Sequence, residues 1–117
     1  SNALWTAAAN DIPLLVIVAN NRAYFNDELH QQRVAKTRDR EEANAWVGQR
    51  IDDPPPDLAM IARGHGLGGE GPVDDLAELE GALERALDAV RSGTPYVLDV
   101  IVAREYVSKR LDGQRKN

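Results

Sequence analysis

The sequence predicts an α/β fold in which a parallel sheet is layered between helices. Three observations predict it. First, Leu14 to Ala19 is a run of six residues without a polar side chain, four of them Leu or Val, opened by Pro13 and closed by Asn20-Asn21. An apolar run this short reads as a strand buried on both faces, and strands of that kind belong to parallel sheets covered by helices. Second, Tyr96 to Val102 is a similar run, interrupted only by Asp99. Third, Leu76, Leu79, Leu83, Leu87 and Val90 recur at steps of three and four residues between Leu76 and Arg91, one apolar stripe along a helix.

Each element follows in order. Leu4 to Asn10 is Ala-rich and reads as the last turns of a helix. Asn10-Asp11 ends it and Pro13 prevents its continuation. After the strand Leu14–Asn20, Asn26 or Asp27 is placed to cap a helix through Glu28 to Ala35. The apolar content of this helix is thin, so it is exposed or lies against another subunit. Lys36 to Glu42 holds six charged residues of seven and reads as a solvated loop or a fraying helix end. Trp46-Val47-Gly48 and Ile51 supply isolated apolar anchors. Asp52-Asp53-Pro54-Pro55-Pro56-Asp57 is a break. Asp57 then caps a short helix, Leu58 to Arg63, with Leu58, Ile61 and Ala62 on one face. Gly64-His65-Gly66 stops that helix. Gly66 to Gly71 reads as a turn region leading to Pro72-Val73, with a short strand possible. Asp75 and Glu78 make a capping-box-like start for the long helix, which Gly93 and Pro95 end. Arg104 to Asn117 is charged and expected to fray.

Length and composition bound the function. The 117 residues make one domain at most, with 43% hydrophobic and 28% charged residues, ordinary values for a globular chain. A net charge of −5 with no basic block argues against nucleic-acid binding. No apolar run is long enough to cross a bilayer. Cysteine is absent, which excludes disulfides and thiolate metal sites. A cytoplasmic setting is the expectation. Two strong strands alone make a poor sheet, so self-association, or completion by strands from elsewhere in a parent protein, is expected.

Ligands of open parallel sheets bind just past the carboxyl ends of the strands, where Asn20 and Asn21 stand. Alone, an Asn pair there reads as a turn, because Asn tolerates left-handed backbone angles. The surroundings add to it. Leu4-Trp5-Thr6-Ala7-Ala8, then Ile12-Pro13, the apolar strand and Asn20-Asn21-Arg22-Ala23-Tyr24 resemble the second half of the cofactor motif of thiamine-diphosphate-dependent enzymes. The nearest likeness is to the acetolactate synthase and benzoylformate decarboxylase branch. It spans about residues 3–103, strongest over Leu4–Tyr24 and weakest over Lys36–Asp53.

The resemblance implies that residues 1–103 are the carboxyl-terminal part of a three-layer, parallel-sheet thiamine-diphosphate-binding domain, with 104–117 a charged tail. It implies a magnesium ion that holds the cofactor's diphosphate, with the Asn21 side chain and the Ala23 carbonyl as its protein ligands. Magnesium favours hard oxygen ligands shared with phosphates, and these two groups are of that kind. Tyr24 would line the cofactor site through its backbone. Tyr24–Ile51 would lie near the active site as a movable segment. The family's motif opens with Gly-Asp-Gly, which does not precede Asn20 here and is expected just upstream of Ser1. The chain therefore reads as a piece of a larger protein, with Ser1-Asn2-Ala3 either native or left by tag cleavage.

The implied parent is a homo-oligomeric 2-oxo acid decarboxylase or carboligase that uses thiamine diphosphate and Mg2+. Flavin, used by some acetolactate synthases, is not indicated. The glutamate that activates the cofactor belongs to another domain in that family, so no catalytic residue is expected here and the isolated chain is expected to be inactive. The alternative is a non-catalytic α/β binding or assembly module derived from the same family.

Other signals read as structure. His30 and His65 have no paired ligand at metal spacing and read as surface or capping residues. Gly64–Gly71 lacks the Lys-Ser/Thr of a phosphate loop, and the first strand lacks the Gly-rich turn of a dinucleotide-binding fold. Asp27 and Glu28 show no fixed geometry for acid–base work. Asp99, inside an apolar strand, must be paired or hydrogen-bonded and is assigned a structural role.

Overall fold

The computed structural model describes residues 2–105. The fraying expected beyond Glu105 lies outside the described residues. Seven elements follow one another: α1 (Asn2–Ala9), β1 (Leu15–Asn20), α2 (Phe25–Thr37), α3 (Leu58–Gly64), β2 (Gly68–Val73), α4 (Leu76–Arg91) and β3 (Tyr96–Ile101).

The three strands form one parallel sheet in the order β1-β3-β2. β1 aligns with β3 from Leu15 opposite Tyr96 to Asn20 opposite Ile101. On one face Val16, Val18 and Val97 pack with Leu4 and Ala8 of α1, Ala62 of α3, and Leu67. On the other face Val73, Leu98 and Val100 pack with Leu79, Ala82 and Leu83 of α4. This is the layered α/β architecture that the sequence predicts. Among the described residues no helix is long and apolar enough to cross a membrane.

Several expectations are corrected. β1 is an edge strand and is not buried on both faces: Ile17 is 51% exposed. α1 and α3 cover the side that carries Val16 and Val18, whereas α4 lies chiefly over β2 and β3. α2 begins at Phe25, ahead of the expected Asn26 or Asp27 cap, and its N-cap Tyr24 makes no side-chain capping bond. Trp46 and Val47 are exposed and do not anchor their loop in the core.

The Gly-rich stretch is a strand and not merely a turn. A Cβ on Gly69 would lie 2.7 Å from the Ala59 carbonyl oxygen, and one on Gly71 would lie 2.6 Å from that of Asp99. These glycines serve close approach of backbones and not chain reversal. Pro72 offers no N–H to the ladder, and the pairing of β2 with β3 shifts register between Glu70 and Val73.

The buried faces of α3 and α4 are made of alanine: Ala59 and Ala62 on one, Ala82 and Ala86 on the other. The expected α3 face of Leu58, Ile61 and Ala62 is thus rotated, leaving Ile61 exposed. The leucine stripe of α4 is likewise only partly inside. Leu79 and Leu83 pack on the sheet, while Leu76 is 83% exposed and Leu87 is exposed as well. Small residues let both helices settle close to the sheet, and the larger side chains flank the contact. Asp57 and Asp75 cap their helices as expected, accepting from the Met60 and Ala77 backbone N–H groups at 2.6 and 2.9 Å.

Candidate functional site

The carboxyl end of β1 runs into a tight turn, 21–24, and then into α2. Both asparagines of the turn use their side-chain oxygens locally. Asn20 Oδ1 accepts from the Arg22 N–H at 2.9 Å, and Asn21 Oδ1 accepts from the Ala23 N–H at 3.1 Å. Two successive Asx turns result. They hold Arg22 in the left-handed region, at φ +53°. The Asn pair is thus a turn, as its residues alone suggest.

Ala23 lies opposite Arg50 in an isolated antiparallel bridge. The flanking hydrogen bonds run from Tyr24 N to Gln49 O at 2.7 Å and from Ile51 N to Arg22 O at 2.8 Å. The bridge thus uses neither the N–H nor the carbonyl of Ala23. Tyr24 is 59% exposed, and its carbonyl accepts from the Asp27 and Glu28 N–H groups.

Three further contacts hold the turn, and only one of their residues stands out in the sequence. Asn20 Nδ2 donates to Asp99 Oδ2 at 3.3 Å, from β1 to β3. Asp99 is 1% exposed, and its Oδ1 has no hydrogen-bond partner among the described residues. Arg104 donates from Nε to the Asn21 carbonyl at 2.9 Å and pairs with Asp52 through its other end. Arg50 pairs with the buried Glu28 of α2 at 3.2 Å, and its guanidinium lies over the Trp46 ring. An aspartate within an apolar strand is a visible anomaly. Arg104 and Arg50 carry no local signal, because their partners are distant in sequence.

The first turn of α2 carries Asp27 and Glu28. Its N-terminus is therefore a poor anion site, since those carboxylates already complement the helix dipole.

Away from the turn, Arg85 of α4 grips both Glu70 oxygens, at 3.1 and 2.5 Å, and the Tyr96 hydroxyl donates to the same carboxylate at 3.2 Å. The Arg85 hydrogen bond holds the Glu70 carboxyl below its ordinary value, and burial raises that of Tyr96. This trio ties α4 to β2 and β3. A cavity of about 150 Å³ also lies at the carboxyl ends of β2 and β3, lined by Val73, Asp75, Leu79 and Ile101 among others, and it includes none of Asn21, Ala23 or Tyr24. His65 ends α3, with Nδ1 at 2.8 Å from the Ile61 carbonyl, and His30 is exposed.

The family model described as "Thiamine pyrophosphate enzyme, C-terminal TPP binding domain" covers residues 1–100. No solved structure matches the chain. With the parallel sheet and the asparagine turn in place, and with the match running from α1 into β3, the chain belongs to the thiamine pyrophosphate enzyme family, as its C-terminal TPP-binding domain.

Proposed function

We propose that the domain anchors the diphosphate of thiamine diphosphate through a magnesium ion held by Asn21 and Ala23. The enzyme that carries it would be a 2-oxo acid decarboxylase or carboligase of acetolactate synthase type. When bound, the cofactor supplies the electron sink for loss of carbon dioxide from a 2-oxo acid. The observation that carries the anchoring role is the turn itself. Asn21 Oδ1 accepts one N–H and keeps a second lone pair, and the Ala23 carbonyl takes no part in the flanking bridge. Both are hard, neutral oxygens on a turn fixed by its neighbours, and such donors suit magnesium. Among the described residues no cluster of three or more acidic or imidazole side chains could hold a metal. The ion would therefore take its remaining ligands from the diphosphate and from groups beyond these residues.

The roles of the other residues follow from position. Tyr24 would border the diphosphate with its backbone. The segment 24–51 would flank the site, tied to the turn by the Ala23–Arg50 bridge. Exposed Ile17 and Leu76 support burial against further subunits or strands in a homo-oligomer. Residues 1–103 would form this domain and 104–117 a tail.

Calorimetric titration of the chain with thiamine diphosphate, with and without magnesium, tests the anchoring role. The expected result is magnesium-dependent binding that is lost in Asn21→Ala. Binding indifferent to magnesium, or unchanged in Asn21→Ala, overturns the assignment. No binding by the wild-type chain would show that these residues alone do not hold the cofactor, and the choice between the enzyme and a non-catalytic binding or assembly module would pass to the full-length protein.

A further inference from the structure

We propose that Asp99 is a positioning residue for this turn. Its carboxylate fixes the Asn20 amide and, through it, the backbone that presents Asn21 and Ala23. The proposal deepens the function proposed above and rests on it for the identity of the ligand.

Asp99 is buried in the middle strand, where a carboxylate costs desolvation free energy that an apolar residue would not. Only one of its oxygens has a partner among the described residues, and that partner is Asn20. Stability alone thus gives no account of the acid.

Chemistry supplies one. Asp99 Oδ2 accepts from the Asn20 NH2 group at 3.3 Å. It therefore selects the NH2 end of the Asn20 amide and turns the Oδ1 end outward. There Oδ1 takes the Arg22 N–H, and Arg22 is the residue held at φ +53°. The next residue, Asn21, repeats the pattern onto Ala23. An Asn20 amide facing the other way would set its NH2 against the Arg22 N–H, donor against donor. Asp99 is itself confined. The β2 backbone passes so close that a Cβ on Gly71 would lie 2.7 Å from the Asp99 Cβ. Hemmed in by β2 on one side and bonded to β1 on the other, the carboxylate has little room to turn.

The test is hydrogen exchange followed by NMR on the chain, together with the titration above. Asp99→Leu keeps the branched shape and removes the acceptor. Exchange at the Arg22 and Ala23 amides should quicken about tenfold, the effect of losing one hydrogen bond, while Leu98 and Val100 keep their protection. Affinity for thiamine diphosphate with magnesium should fall by a similar factor. In an Asn20→Ala background Asp99→Leu should add nothing to exchange at Arg22 and Ala23, because Asp99 acts through Asn20. Unchanged exchange at Arg22 and Ala23, or additive effects in the double variant, overturns the proposal. In the wild-type chain the Asn20 side-chain NH2 should itself be protected, and free exchange there overturns the proposal without any variant. If the wild-type chain binds no cofactor, the ligand assignment falls, while the exchange data still decide the role of Asp99.

Discussion

Arg104 lies three residues beyond the end of β3 and donates from Nε to the backbone carbonyl of Asn21 at 2.9 Å. The other end of its guanidinium pairs with Asp52, in the loop before α3. One side chain therefore joins the end of the sheet, the asparagine turn and the loop that follows the 22–51 bridge. The fork geometry of arginine makes this possible, since it donates in two directions at once.

Removing that fork should loosen the turn. Arg104→Ala is expected to lower stability by about 1–2 kcal/mol, the range for a half-exposed charged hydrogen bond plus an ion pair. Arg104→Lys should recover little, because one ammonium cannot serve both acceptors in this geometry. Urea denaturation of the three proteins decides the matter. Full recovery by lysine would reduce the contact to simple charge.

The glycines of β2 give a graded prediction. Gly71 combines φ +130° with backbone 2.6 Å from its would-be Cβ, so Gly71→Ala should cost more than about 3 kcal/mol and abolish cooperative folding in a chain this small. Gly69→Ala meets the Ala59 backbone at 2.7 Å and should cost nearly as much. Gly68→Ala meets only the Tyr96 ring, at 2.3 Å, and the ring can move aside at the cost of its hydrogen bond to Glu70, so the loss should be smaller. Gly48→Ala has open space around it and should cost about 1 kcal/mol, from its φ of +74° alone. Thermal melts of the four variants should reproduce that order.

The same stretch shows where sequence reading stops. Long periodic elements and capping residues are local, so α4, α3 and their Asp caps were legible. Gly66–Gly71 reads chiefly as a turn because the requirement for glycine comes from Ala59 and Asp99, which touch it only in the folded chain. The alanine faces of α3 and α4 were hidden behind leucines, which carry the stronger hydropathy signal although the alanines sit deepest. At the site, the asparagine turn was visible as a motif. Its supports were not, since Arg104 lies 83 residues from Asn21 in the chain.

Glu70 should impose an acid limb on stability. Its folded carboxyl lies below the ordinary value of 4.5, chiefly through the Arg85 hydrogen bond. The stabilisation is thus fully present above that value and is lost as pH falls through the lower folded one. Wild type should lose stability below pH 4.5 faster than Glu70→Gln, the two converging in stronger acid. Tyr96 acts at the other end. Burial raises its hydroxyl above the ordinary value of 10, so stability is lost as pH climbs beyond that point through the folded value. Tyr96→Phe should flatten the alkaline limb. Denaturation midpoints measured across both ranges test the pair, and parallel curves for wild type and variants would rule the linkage out.

Glu28 and Arg50 set the last prediction. The Glu28 side chain is 7% exposed, and its Oε2 has no hydrogen-bond partner among the described residues. Arg50 is its counter-charge, more exposed at 41%. Deleting the arginine leaves a buried carboxylate uncompensated, which costs about 3 kcal/mol in comparable settings. Arg50→Ala should therefore destabilise strongly, and Glu28→Gln much less, because a neutral amide tolerates the same pocket. Combining them should recover most of the loss, since the charge that made Arg50 necessary is gone. The bridge between Ala23 and Arg50 is made by backbone alone and should survive in the double variant. Denaturant melts give the coupling, and exchange at the Tyr24 amide, which bonds to Gln49, reports whether the bridge persists. Additive losses in the double variant would mean that Arg50 acts through the Trp46 ring and not through Glu28.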